Sequence, residues 1–305
     1  MPSGFSFCAV SCEKVMVLER LRQAVEKRTP MLVPEAGGNA ALSFVHMLRK
    51  IYGNDLKLIA IDLDERVRHV YEAMGYEFIP EQQVTRALLL ASFLLPTDEV
   101  FGNKTGISSP LAQSPLRKVM YNKFRCHRHL DAAHRQYVEL PLLFQKVIVR
   151  GNSQSGGRGM LVHRSGPEPD GVLVTHHYTD AIEVQVDLIK TEEKLVFYPR
   201  ITTRLHKGAD THVVLMGRKH PLYVQTFHAT REIVNILEIW GIANIQFLVA
   251  GNAHRFLFLE AALRFSGSSW TNLFAGDEAN PLLGNGFGEF EEIHATTQTG
   301  LGVIK

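Results

Sequence analysis

At 305 residues, with 45% hydrophobic and 21% charged residues, the chain is long enough for a large core and for two domains. A formal net charge of +2 gives no reason to expect nucleic acid or an acidic membrane as partner. Three cysteines, Cys8, Cys12 and Cys126, are too few to form a disulfide framework and fit a reducing cytoplasm. No run reaches the ~18 apolar residues of a membrane span, and the opening residues lack the basic start and apolar stretch of a secretory leader.

The pattern from Glu13 to Lys27 predicts an amphipathic helix, with Val15, Val17, Leu18, Leu21 and Val25 on one face. Met31 to Val33 reads as a short strand. It runs through a Gly37–Gly38 turn into a helix capped by Asn39 and ending near Ile51. LKLIAIDLDE reads as a second strand with the acidic end Asp62 and Asp64, which completes a βαβ unit. The G-x-G-x-x-G fingerprint is absent, so this unit reads as a Rossmann-like scaffold without a dinucleotide. RVRHVYEAMGYEFIP predicts a further helix and short strand, and ALLLASFLLPTDE one more element ending at Pro96.

Gly102 to Pro115 is rich in Gly, Ser and Pro and reads as connection. A helix is expected over Leu116–Arg135. After it the texture becomes α+β, with strands at Lys146–Arg150, Val172–His177, Glu183–Ile189, Leu195–Pro199, Ala243–Ala250 and Arg255–Ala261. A helix is expected over about Gln225–Trp240. The expected division is a Rossmann-like domain over 1–115 and an α+β domain of two lobes over 116–305.

Three stretches carry chemistry. VIVRGNSQSGGRGM is a buried strand that delivers Arg150 into a loop holding Gly156, Gly157, Arg158 and Gly159. Backbone N–H groups of such a loop can converge on one anion, and the two guanidiniums suit phosphate oxygens. In NIQFLVAGNAHRFLFLEA, two strands of a hairpin bring Gln246 and Glu260 to neighbouring positions. An amide oxygen and a carboxylate there are hard ligands for Mg²⁺. In AIEVQVDLIK, Glu183, Gln185 and Asp187 alternate with apolar residues, as in a strand with one polar face. The cluster Cys126, His127, His129 lacks a second pair at zinc spacing and reads as surface helix.

In this order the motifs resemble the ATP-grasp superfamily, and most closely the branch similar to the synthetase domains of the carbamoyl-phosphate synthase large subunit. VIVRGNSQSGGRGM resembles the family's strand with a terminal basic residue and its phosphate loop, and EVQVD its E-x-x-V-D strand. NIQF is close to that branch's metal-ligand strand, EAALRFSGSS resembles E-x-N-P-R-x-S-G, and YNKFRCHRHL the helix start that carries the family's lysine. The first hundred or so residues are similar to the Rossmann-like pre-ATP-grasp domain.

The resemblance implies two α+β lobes gripping ATP. It also implies an acyl phosphate made from a small carboxylate, or bicarbonate, and then attacked by an amine or similar nucleophile. By that resemblance Lys123 and Arg150 contact ATP phosphates, Gly156 to Gly159 cover them, and Glu183 sits near ribose or adenine. Gln246 and Glu260 hold Mg²⁺, Arg264 meets the transferred phosphoryl group or the acyl phosphate, and Arg200 and Arg204 of YPRITTR face phosphate or substrate. The sequence departs from the family at Ala262, where asparagine is usual, at Leu263 in place of proline, and at Asn122 in place of aspartate. The segments around the glycine loop are also short. These departures sustain a second reading, a degenerate ATP-grasp module that binds nucleotide or a partner without turnover. The tail NPLLGNGFGEFEEIHATTQTGLGVIK leaves two readings open, closing the site or burying a homodimer contact.

Overall fold

The computed structural model describes residues 17–53, 55–133, 137–138, 146–151, 161–164, 172–176, 181–206, 210–250, 255–286 and 292–298. In chain order the first part holds α1 (Val17–Glu26), β1 (Met31–Pro34), α2 (Asn39–Tyr52), β2 (Leu58–Asp62), α3 (Arg66–Ala73) and β3 (Glu77–Pro80). Next come α4 (Arg86–Ala91), β4 (Phe93–Leu94), α5 (Glu99–Thr105), β5 (Ala112–Gln113), α6 (Arg117–Tyr121) and α7 (Lys123–Ala133). They are followed by β6 (Lys146–Gly151), β7 (Leu161–Arg164), β8 (Val172–His176), β9 (Ile182–Lys190), β10 (Leu195–His206) and β11 (Asp210–Met216). The described elements close with α8 (Tyr223–Ile236), β12 (Trp240–Ala250), β13 (Arg255–Ala262) and β14 (Glu292–Gln298).

The first four strands form a parallel sheet in the order β3-β2-β1-β4. Their residues are near-continuously apolar because both faces are covered. Met31, Val33, Leu58 and Ala60 pack with Phe44, Val45 and Leu48 of α2. Leu32, Ile59 and Ile61 pack on the opposite side with Leu89, Leu94 and Phe101. This is the Rossmann-like arrangement expected from the βαβ pattern. α2 begins at Asn39, with Gly38 in the capping position and no side-chain cap. The sheet's carboxyl ends deliver Glu35, Asp62 and, just beyond β4, Asp98 and Glu99.

The second sheet is antiparallel, in the order β13-β12-β9-β10-β11-β14, with β5 added beside β12. β5 precedes the division expected at residue 115, yet it hydrogen-bonds into this sheet. β6, β7 and β8 form a separate three-stranded antiparallel sheet. One contiguous core joins α2 and the parallel sheet to Val184, Val186, Ile245, Phe247 and Phe265.

The structure departs from the sequence reading in several elements. The stretch over 102–115 is not only connection, because α5 occupies Glu99–Thr105. Asp98 caps it, its carboxylate accepting from the N–H groups of Val100 (3.0 Å) and Phe101 (2.7 Å). The expected Leu116–Arg135 helix is broken at Asn122, whose side chain accepts from Arg125 N at 3.0 Å and starts α7 afresh. α8 stops at Ile236 and Trp240 opens β12; the intervening Glu238 takes a φ of 49°, which no helix tolerates. β10 runs past Pro199 to His206.

Candidate active site

The period-2 alternation of β9 puts Val184, Val186 and Leu188 into the core and Glu183, Gln185 and Asp187 on the other face. Register extends that polar face across the sheet. Gln185 lies opposite Arg200 of β10 on one side and Gln246 of β12 on the other, and Gln246 lies opposite Glu260 of β13. The next row holds Tyr198, Asp187, Asn244 and Ala262. Directly opposed residues share a face, so Gln246 and Glu260 lie side by side on neighbouring strands. The ladder carries an irregularity just after Gln246.

Each polar side chain in the row has a definite setting. Gln246 donates from Nε2 to Asn244 Oδ1 at 3.1 Å, which turns its Oε1 the other way. Gln185 donates to Glu183 Oε1 at 2.7 Å. Lys123, the first residue of α7, reaches Glu260 Oε2 at 2.7 Å. α7 is seated on β13 by His127, whose ring nitrogen Nε2 lies 3.0 Å from Leu259 O and whose ring packs on Phe258. Cys126 and His127 are therefore buried against β13, not part of a surface helix face, and burial pushes the Cys126 thiol up to about 12.

Lys123, Glu260, Ala262 and Arg264 line a cavity of about 450 Å³ together with the carboxyl ends of the parallel sheet. From that sheet come Glu35, Asp62, Asp98 and Glu99, none of which the sequence reading had singled out for a site. Their signal was an acidic residue just past each predicted strand, the place where ligands meet open α/β sheets. Asp62 is held by Gly37 N (2.8 Å) and Asp64 N (2.9 Å). Glu99 Oε1 accepts from Leu263 N. Burial raises the Glu99 carboxyl above the usual carboxylate range, the Leu263 N–H and Arg264 pull it back, and Glu260 adds to the rise. Arg264 donates to Phe265 O at 3.0 Å and keeps further donors for the cavity. A second cavity, about 410 Å³ and lined by Arg28, Lys57, Tyr76 and Glu77, lies at the amino ends of β2 and β3 and holds none of the predicted residues.

Arg200 corrects an expectation. It does not face substrate: it is fully buried, and Asp187, Ser266, Ser268 and Asn272 take its donors. Asp187 in turn accepts from Asn244 Nδ2 (3.0 Å), Ser266 N (2.9 Å) and Ser269 Oγ. The physical reason is the chain after Arg264, which turns back over the sheet and continues as a 3₁₀ helix over Ser269–Ala275, covering this end of the row. The guanidinium thus anchors the segment that follows Arg264. Arg150 is the next-to-last residue of β6, opposite Leu173 of β8, but its side chain lies outside the described residues. So do Gly156, Gly157, Arg158, Gly159 and the side chain of Arg204.

The donor set suits a magnesium ion carried by nucleotide. Among the described residues no group of three or more His, Cys, Asp or Glu side chains is placed to hold a metal unaided. Mg²⁺ is commonly held by one or two carboxylates plus substrate phosphates and water, and an amide oxygen opposite a carboxylate meets that need.

No protein-family model and no curated protein matches the sequence. Solved structures do match. N5-carboxyaminoimidazole synthetase from Staphylococcus aureus, complexed with ADP, aligns with a TM-score of 0.62 at 12% identity, covering 88% of this chain and 82% of that one. An ATP-grasp superfamily protein from Archaeoglobus fulgidus aligns with a TM-score of 0.62 at 13% identity, covering 88% and 92%. The biotin carboxylase domain of Hydrogenobacter thermophilus 2-oxoglutarate carboxylase, in complex with MgADP, ADP and bicarbonate, aligns at 0.58 and 11%, covering 86% and 71%. The chain therefore has the ATP-grasp fold, with a Rossmann-like sheet ahead of the antiparallel sheet.

Proposed function

We propose that the chain is an ATP-dependent ligase that joins a small carboxylate, or bicarbonate, to an amine or similar nucleophile through an acyl phosphate. The observation that carries this reading is the convergence of Lys123, Glu260 and Arg264 on one cavity, with Gln246 directly opposite Glu260. Nucleotide phosphates approach the polar face of the antiparallel sheet, where Lys123 leaves Glu260 for a phosphate oxygen. Glu260 and Gln246 would hold Mg²⁺, which would supply positive charge to the phosphate oxygens. Arg264 steadies the phosphoryl group as it passes to the acid. The glycine loop Gly156 to Gly159, with Arg150 and Arg158, covers the phosphates, and Glu183 borders the ribose or adenine. The acid and the nucleophile enter from the side of the parallel sheet. The solved neighbours bound to ADP and bicarbonate support a nucleotide and a small carboxylate as ligands; the likeness to carbamoyl-phosphate synthase rests on NIQF and EAALRFSGSS.

The direct test is ADP release with Mg-ATP and a panel of carboxylates and bicarbonate, with hydroxylamine present to trap acyl phosphate as hydroxamate. Carboxylate-dependent ADP release that Arg264→Ala abolishes is expected. Nucleotide binding with no carboxylate-dependent ADP release would favour the second reading, a non-catalytic module. That alternative has a specific observation behind it: Ala262 offers no oxygen to a metal, and Lys123 neutralises Glu260.

A further inference from the structure

Among the described residues, Glu99 ties the Rossmann-like part to the peptide just past the strand that carries Glu260. Its position is set from both sides. Thr97 is tied to Pro34 O at 2.7 Å, Asp98 caps α5, and Glu99 is that helix's first residue. Its Oε1 then accepts from the N–H of Leu263, the peptide immediately after Ala262. Its Oε2 has no hydrogen-bond or ion-pair partner among the described residues. Glu99, Glu260, Ala262 and Arg264 line the same cavity.

Lys123 pairs with Glu260; once that lysine turns to a phosphate, Glu260 and Glu99 are left as two carboxylates of one cavity, and an added cation relieves their repulsion. The strands opposite supply an incomplete set for a hard cation: Glu260, the Gln246 amide, and the methyl of Ala262. A carboxylate with one oxygen fixed by a backbone N–H presents the other in a set direction, as outer hydrogen bonds orient metal ligands generally.

We propose that Glu99 is a ligand of the nucleotide-borne divalent cation, closing its coordination from the Rossmann-like part opposite Gln246 and Glu260. This rests on the reading of the site as one for Mg-nucleotide. It makes cation binding depend on both parts of the molecule, because the ligands come from α5 and from β12 and β13.

The test uses the full chain, ADP and Mn²⁺, with bound Mn²⁺ read by electron paramagnetic resonance and metal-free ADP binding read by calorimetry. Glu99→Gln keeps an oxygen for the Leu263 N–H but loses the charge. It is expected to weaken Mn²⁺ binding in the ADP complex by about tenfold or more, with metal-free ADP affinity unchanged. Adding Ala262→Asn to that variant should restore much of the loss, and the same change in the wild type should gain less. Equal Mn²⁺ affinity in wild type and Glu99→Gln, with Glu260→Gln weakened, would leave Glu99 a mere latch on Leu263 and overturn the inference alone. Should Glu99→Gln not fold, the Ala262→Asn gain in Glu99→Asp against wild type decides: equal gains overturn the proposal. ADP that fails to bind the wild type would overturn the nucleotide reading and this inference together.

Discussion

Among the fully buried side chains of the described residues Arg200 is the largest, and its charge is met by Asp187 on the neighbouring strand. Removing one member of such a pair strands the other charge out of water. Arg200→Ala is therefore expected to cost about 3–5 kcal/mol of stability, read as a lower urea midpoint. Unchanged stability with lost ATP affinity would return Arg200 to the substrate-facing role that YPRITTR suggested. The sequence did not reveal this burial, because an arginine on an alternating strand reads the same whether solvent or a returning segment covers it. Its cover, Ser266 to Asn272, lies over sixty residues further along the chain. Gln246 and Glu260 were legible only as residues of neighbouring strands: the register counted from Ala250 and Arg255 would set Gln246 opposite Leu259, and the irregularity between Gln246 and Phe247 brings Glu260 there instead.

α7 shows how an element aims a functional side chain. A lysine at a helix amino terminus opposes the helix dipole, and here the ion pair to Glu260 and the Asn122 cap offset that cost. Asn122→Ala should lower stability by about 1 kcal/mol and also weaken ATP binding by letting Lys123 drift; Asn122→Asp should preserve both, since either side chain caps. Denaturant titration beside calorimetry separates the two effects, and an Asn122→Ala protein with wild-type ATP affinity would show that the cap does not position Lys123. A period-2 pattern made β9 readable, and short, largely apolar runs made β12 and β13 readable. α5 escaped notice because its seven residues, EVFGNKT, carry no clear apolar stripe, and only the Asp98 cap marks it. β11 and β14 were missed because their register depends on each other and on β10, not on local pattern.

At the scale of the molecule, the cavity exists because the Rossmann-like sheet and β13 are held at a fixed spacing. Ser43 of α2 donates to Gly267 O at 2.7 Å, and Asn280 donates to Met47 O at 2.9 Å. Gly267 is needed there: a Cβ would sit 2.6 Å from the Cβ of Asn39, at the start of α2. Gly267→Val is expected to cost about 1–3 kcal/mol as an overpacked contact and, by moving Arg264 and Glu260 away from Glu99, to weaken metal-dependent nucleotide binding. Full retention of both would mean that this contact does not set the cavity. The βαβ half and the strand-rich half were both legible as classes from their periodicities, whereas their mutual placement was not. It depends on contacts between residues more than two hundred positions apart.

ATP binding on the polar face of the antiparallel sheet, with a cation held by Glu260, is best checked by calorimetric ATP titration of the wild type and of Glu260→Gln, each with and without Mg²⁺. ATP is expected to bind the wild type more tightly when Mg²⁺ is added, and to bind Glu260→Gln with little effect of Mg²⁺. No ATP binding to the wild type, or a Mg²⁺ response that Glu260→Gln leaves intact, would contradict it.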